Sequence, residues 1–135
     1  MAVDKVFGPV DVAVSGMQAQ SKSLSAIYAN VANAHTTDAN GEPYRRVEAI
    51  FKSKDEEDPL GGVRVDKISQ DNSEFPEVFD PGHPGADANG YVRMPNVSLP
   101  TEMINLTIAT RAYQANAAVL KRYQQIVDTA LELLR

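Results

Sequence analysis

Apolar residues recur at alternating four- and three-residue spacing near both ends of this 135-residue chain, and the pattern is absent between them. The first run is Val3, Phe7, Val10, Val14, Met17, Leu24, Tyr28 and Val31, with Ser21 as its one polar position. The second is Leu99, Met103, Leu106, Tyr113, Ala117, Leu120, Val127, Leu131 and Leu134, with Thr110 and Gln124 as polar positions. Such spacing keeps one seam of a helix turned toward a partner helix, as in a coiled coil. It predicts helices over 9–34 and 98–134. Gly8 suits an N-cap, Pro9 is tolerated in the first turn, and Asp11 lies near the positive end of the helix dipole. Ser98, Pro100 and Glu102 open the second helix in the same way. At about 36 residues the second helix spans roughly 54 Å, against a mean of about 11–12 residues for globular helices.

Between the seams the pattern changes to period two. Val47, Ala49 and Phe51 alternate with Arg46, Glu48 and Ile50, and Val63 and Val65 alternate with Arg64 and Asp66. These two runs predict a hairpin with a long charged tip. Residues 75–79 read as a short edge strand limited by Pro76, and 91–94 as a last short strand. The resulting fold class is mainly α with a small β part. Long N- and C-terminal helices pair as a coiled coil, joined by a short β-hairpin and an irregular middle. The expected division is 1–35, 36–97 and 98–135.

The first helix has an unusual second face. Ser15, Gln18, Ala19, Gln20, Ser23, Ser25 and Ala26 are small or polar without the Glu/Lys richness of a solvated helix. This face is expected to point outward and to let other helices approach closely. Burying a seam residue contributes about 1.5–3 kcal/mol, and ordering each residue costs about 1–2 kcal/mol in backbone entropy. One thin helix pair therefore gains little net stability, and the helices are expected to be fully stable only among neighbours.

Composition removes several classes of function. With 18 acidic and 13 basic residues the formal charge is −5, which argues against nucleic-acid binding. There is no cysteine, so neither disulfides nor thiolate metal sites are available. The N-terminus carries Asp4 and Asp11 and lacks a secretory h-region. No stretch approaches the length of a membrane span, so no direct membrane insertion is expected.

Catalytic chemistry is equally sparse. His35 and His83 lie in turn-rich segments with no ligand spacing around them. No GxSxG elbow, GxGxxG fingerprint or Walker loop occurs. The tetrapeptide DANG occurs twice, at 38–41 and 87–90. Each copy supplies too few oxygens for a calcium loop, and Asn-Gly favours tight turns. The acidic cluster Asp55, Glu56, Glu57 and Asp58 reads as a solvated loop tip. No enzyme activity, catalytic residue, cofactor, metal site or small-molecule substrate is expected. Asn30, Asn33 and Asn116 are different, because asparagine is a poor helix former and all three lie in or at the ends of seam-bearing helices. Asn33 suits a C-cap, while Asn30 and Asn116 call for amide partners on a neighbouring helix or on backbone.

Three segments carry a family resemblance. Residues 29–37, ANVANAHTT, followed by Tyr44-Arg45, resemble the N-terminal signature of the bacterial flagellar rod and hook family. Residues 101–119, TEMINLTIATRAYQANAAV, resemble its C-terminal signature. The run FDPGHPGADANGYVRMPNV (79–97), with the short length, resembles the short proximal rod subunit of that family. The resemblance implies a structural subunit exported without a cleaved signal through the flagellar type III export apparatus. Such a subunit assembles in the periplasm, with copies of itself and other flagellar rod subunits, into a helical tube that transmits torque and continues the export channel. It implies that Asn30, Ala32, Asn33 and Tyr44 belong to one interface motif. Glu102, Met103, Arg111, Ala112, Tyr113, Gln114 and Asn116 belong to another. The seams add Val14, Met17, Leu24, Tyr28, Val31, Leu106, Leu120 and Val127. The stretch Lys121-Arg122-Tyr123-Gln124-Gln125 departs from the smaller, more apolar residues of the family pattern, as do the first residues, MAVDKVFGPV. The alternatives are another rod or hook-related axial subunit, or a small cytoplasmic coiled-coil adaptor.

Overall fold

A computed structural model of the chain describes residues 8–55, 57 and 60–135. The upstream seam positions Val3 and Phe7, and Glu56 and Asp58 of the acidic cluster, lie outside the described residues. In chain order the elements are α1 (Gly8–Ala32), β1 (Val47–Ser53), β2 (Val63–Gln70), β3 (Glu77–Phe79), β4 (Tyr91–Arg93) and α2 (Leu99–Leu133). Two long terminal helices thus flank a small antiparallel β middle.

The helices run antiparallel and touch. Near one end Asn30 Nδ2 donates to Glu102 Oε2 at 3.0 Å. Fourteen residues further along each helix, Gly16 lies against the Asn116 side chain, so closely that a Cβ at Gly16 would sit 2.7 Å from Nδ2. On this register the first described residue of α1, Gly8, lies opposite about residue 124 of α2. The last turns of α2 therefore extend past the described part of α1.

β1 and β2 form the expected hairpin, with a register shift between Ile50 and Phe51. It packs on α1. The docking point is Ser15, whose Oγ donates to the Val12 carbonyl at 2.7 Å and accepts from the Val63 N–H at 3.1 Å. Gly62 permits this approach. Its φ is +87°, and a Cβ there would lie 2.5 Å from Ser15 Oγ. β3 and β4 pair with each other as a second two-stranded sheet, closed by an edge contact between the Phe79 and Tyr91 rings at 5.3 Å. Phe75 is buried beneath the Arg45 and Arg93 guanidinium groups, 4.2 and 5.0 Å from its centroid, a cation–π arrangement.

The two DANG segments adopt the same turn. Asp38 Oδ1 accepts from the Asn40 and Glu42 N–H groups, and Asp87 Oδ1 from those of Asn89 and Tyr91, all at 2.8–2.9 Å. Gly41 and Gly90 supply the positive φ angles, +78° and +82°. Both carboxylates are thereby engaged by backbone, as the turn reading requires.

One expectation is reversed in part. Of the face expected outside, Ser15, Ala19 and Ala26 are buried, together with Ala13, Gly16, Ile27 and Asn30, while Gln18 and Ser25 remain exposed. The buried face packs on α2 and the hairpin within the chain, where small side chains allow close backbone approach. The larger residues lie toward the flanks and outside. In α2 the fully buried positions are Glu102 and Ala109, one residue out of step with the seam positions Met103 and Thr110. The buried face and the seam meet at Leu106 and Leu120, which are half-buried.

Candidate assembly interface

The most enclosed side chains in the described chain are polar. Asn30 and Glu102 are each 0% exposed, and burial of such groups requires full hydrogen bonding. Asn30 achieves it with four partners. Its Nδ2 donates to the Val47 carbonyl at 2.8 Å and to Glu102 Oε2. Its Oδ1 accepts from the Val47 N–H at 2.9 Å and the Tyr44 hydroxyl at 3.1 Å. Asn30 is therefore poor for its helix but well matched to this site, where it gives the strand-like backbone at Val47 the partners a neighbouring strand would give.

Glu102 sits in the first turn of α2, favoured there by the helix dipole. Its other oxygen accepts from Arg46 Nε at 2.7 Å. Arg46 also reaches Glu48 Oε2 at 3.1 Å and Asp71 Oδ2 at 3.7 Å. Its backbone N–H donates to Asn96 Oδ1 at 2.8 Å, and Asn96 Nδ2 in turn holds the carbonyl of Asp71 at 3.0 Å. Burial disfavours the Arg46 charge, but its hydrogen bonds to Glu102 and Glu48 and their negative charges outweigh that and raise its pKa. Burial, and secondarily the Glu102 charge, raises the Tyr44 hydroxyl above its ordinary value. The Ser73 backbone N–H and hydroxyl, helped by the Arg46 and Arg45 charges, hold the Asp71 carboxyl below the usual range. Five segments meet in this clasp: the end of α1, the root of β1, the turn after β2, the linker at Asn96 and the start of α2.

The expected interface residues divide into two groups. Asn30, Tyr44 and Glu102 come together inside the chain, in the clasp. Asn33 bonds back to the Ala29 carbonyl at 2.9 Å, and Asn116 to the Ala112 carbonyl at 3.0 Å while facing Gly16. Val14, Met17, Leu24, Val31, Leu106, Ala112 and Leu120 are half-buried at the flanks of the helix contact. Tyr28, Ala32, Met103, Arg111, Tyr113, Gln114 and Val127 are exposed. They are joined by a stripe the seam omits: Ile104, Ile108, Val119, Ile126 and Leu133, all exposed on α2. Leu133 and Leu134 are 83% and 84% exposed. An array of large exposed apolar side chains running the length of a helix marks an interaction surface.

Arg46, Asn96, Ser15 and Gly16 carry the internal geometry and were not among the expected residues. A signal for the inner face does exist. Ala13, Gly16, Ala19, Ser23, Ala26 and Asn30 recur at three- and four-residue spacing, a small-residue stripe that ends on a buried amide. Arg46 reads in sequence as an ordinary polar strand position. Among the described residues no group of three or more His, Asp or Glu side chains is placed to hold a metal ion, and no helix is long and apolar enough to cross a membrane.

Known proteins match this sequence over nearly the whole chain. Residues 88–133 match the family described as flagellar basal body rod FlgEFG protein C-terminal. The flagellar basal-body rod protein FlgC of Yersinia enterocolitica is 42% identical over 125 residues, covering 91% of this chain and 93% of its own length. FlgC of Bacillus subtilis is 36% identical, with 94% and 97% covered, and FlgC of Borreliella burgdorferi 34% identical, with 96% and 98% covered. Each of these relatives is matched over more than nine-tenths of both chains, and this chain belongs to the FlgC family of flagellar basal-body rod proteins.

Proposed function

We propose that this chain is a structural subunit of the proximal rod of the bacterial flagellar basal body, assembling through its terminal helices into a helical tube that transmits torque and continues the export channel. Residues 1–35 and 98–135 form the inner layer, packed as a coiled coil against copies of the chain and other rod subunits. Residues 36–97 form the middle around them. The subunit reaches the periplasm through the flagellar type III export apparatus without a cleaved signal. One observation within the molecule carries this reading: α2 presents large apolar side chains on two flanks beyond its contact with α1. A helix apolar on most of its circumference is made to be surrounded, and the family gives the neighbours a class.

The test separates surface from fold. Met103→Asp and Ile126→Asp each place a charge on an exposed position. Each variant is expected to keep the helix content and unfolding midpoint of the intact protein. In cells whose own copy has been deleted, each is expected to be exported yet fail to restore motility or rod formation. Normal motility in both variants would remove the exposed flanks from the assembly.

A further inference from the structure

Hydrophobicity alone gives α2 a different orientation from the one it has. Four large apolar side chains of its first half, Leu99, Met103, Leu106 and Tyr113, define a seam that would bury well against α1. Instead Met103 is 53% exposed and Tyr113 36% exposed, while Glu102 and Ala109, at 0% and 4%, are turned inward. In α1 Ile27 is buried and Val14, Met17, Leu24 and Val31 are half-buried, but Tyr28 is 57% exposed while Ala26 and Asn30 beside it are enclosed. Near the clasp, the start of α2 and the end of α1 thus turn large seam residues outward and smaller or polar ones inward.

We infer that the Asn30–Glu102–Arg46 clasp is a rotational lock, which keeps the seams of α1 and α2 from closing fully on each other within one subunit and so leaves Tyr28, Met103 and Tyr113 on the outside. Turning α2 by one residue toward its seam would pull Glu102 away from Arg46 Nε (2.7 Å) and Asn30 Nδ2 (3.0 Å). It would leave the inner guanidinium nitrogen and one amide hydrogen buried without partners, a heavier loss than the apolar gain from one or two half-covered side chains. Asn30 is fixed in turn by both main-chain groups of Val47, so the lock is referred to the hairpin and not only to the facing helix. A single polar position that fixes register or rotation at the cost of apolar burial is a known role for buried polar groups in helix pairs. Here Asn30, Arg46 and Glu102 act as positioning residues for the outer flanks. That the flanks then meet other rod subunits rests on the function proposed above.

The absence of cysteine makes the rotation directly readable. Single cysteines placed by Met103→Cys and Ala109→Cys report the outer and inner faces of α2. In the otherwise intact protein, position 103 is expected to react with a thiol reagent faster than position 109 by roughly tenfold or more, since protection follows local opening. The lock is then replaced by apolar residues, Asn30→Leu, Arg46→Met and Glu102→Leu, an exchange that buried ionic clusters tolerate. The expected result is a folded protein in which the ranking reverses, with 103 protected and 109 reactive. An unchanged ranking overturns the proposal, because close packing at Ala13, Gly16 and Ala19 would then be enough to set the rotation.

A milder variant covers failure of the triple exchange to fold. In Arg46→Ala the unpaired Glu102 should turn toward water, so 109 gains and 103 loses reactivity at constant helix content. Equal reactivity at both positions with loss of helix would show that the clasp only stabilises, and would overturn the lock. These readouts use purified protein and do not depend on rod assembly. Complementation of motility by the triple variant, expected to fail, tests the rod reading separately.

Discussion

The two ends of the helix pair are built on opposite terms. At one end, Asn30, Tyr44, Arg46, Asn96 and Glu102 satisfy one another in a largely enclosed network, and two of them are wholly buried. At the other, α2 runs past the described part of α1, and Ile126, Val127, Leu131, Leu133 and Leu134 are exposed. Polar side chains are inside where the described helices meet, and apolar side chains are outside where α2 passes the described part of α1. The contrast teaches where specificity and affinity reside. Directional hydrogen bonds fix one internal geometry, while non-directional apolar area is left for association.

The sharpest way to break the comparison is to delete one side chain at each end. Arg46→Ala takes the cation from the Glu102 carboxylate, and losing one partner of such a pair costs up to about 3–5 kcal/mol, less whatever the helix recovers by turning the carboxylate to water. For a small domain with only about 5–15 kcal/mol of stability in all, that is a large share. Leu131→Ala removes a side chain already in water, and exposed changes of that kind stay within about 0.5 kcal/mol. Urea unfolding followed by circular dichroism measures both. Similar losses in the two variants would mean that the overhang is held within the subunit and that the contrast between the ends is false.

Between the ends lies the hairpin contact at Ser15, which is intermediate in character. Gly62→Ala imposes a left-handed conformation on a residue with a Cβ, costing roughly 1–2 kcal/mol. The new methyl would also stand where the Ser15 hydroxyl receives the Val63 N–H, a bond whose loss adds about 1 kcal/mol. The expected total of about 2–3 kcal/mol places this contact below the clasp and above the overhang. A loss smaller than that of Leu131→Ala would show that the hairpin is not anchored at Ser15.

Much of this contrast can be read from the residues, but not its orientation. Both helices, the first hairpin and the two Asn-Gly turns follow from periodicity and local backbone preference, which act over a few residues. Glu102, Asn30 and Tyr44 stand out in sequence by motif and by an amide inside a helix. What they touch depends on Arg46 and Asn96, 50 residues apart in the chain and joined only by tertiary folding. The rotation of the helices escaped for a related reason. A seam analysis ranks faces by apolar size, whereas the small stripe through Ala13, Gly16, Ala19 and Ala26 wins by allowing closer approach and by ending on Asn30. The pairing of β3 with β4 rests on three residue pairs, too few to leave a periodic trace.

A smaller effect at the clasp itself is also reversible. Tyr44 holds its proton more tightly in the folded chain than in the unfolded one, because burial and the nearby Glu102 charge oppose a phenolate. A group with a raised folded-state pKa contributes stability that is present below the unfolded value, about 10 for tyrosine, and lost as pH climbs through the folded one. Alkali should therefore loosen the clasped end first, with no side chain removed. In Tyr44→Phe the Asn30 oxygen still accepts from the Val47 N–H, so at neutral pH the variant loses only one hydrogen bond, about 0.5–1.5 kcal/mol. It also loses the titrating group. The stability difference between intact protein and variant should thus be constant below about pH 10 and shrink above it, as followed by urea unfolding across that range. A difference that stays constant through the titration would mean that the phenol ionises as freely in the folded chain as in the unfolded one. The clasp would then be open to water on its Tyr44 side, and its enclosed part would be confined to Asn30 and Glu102.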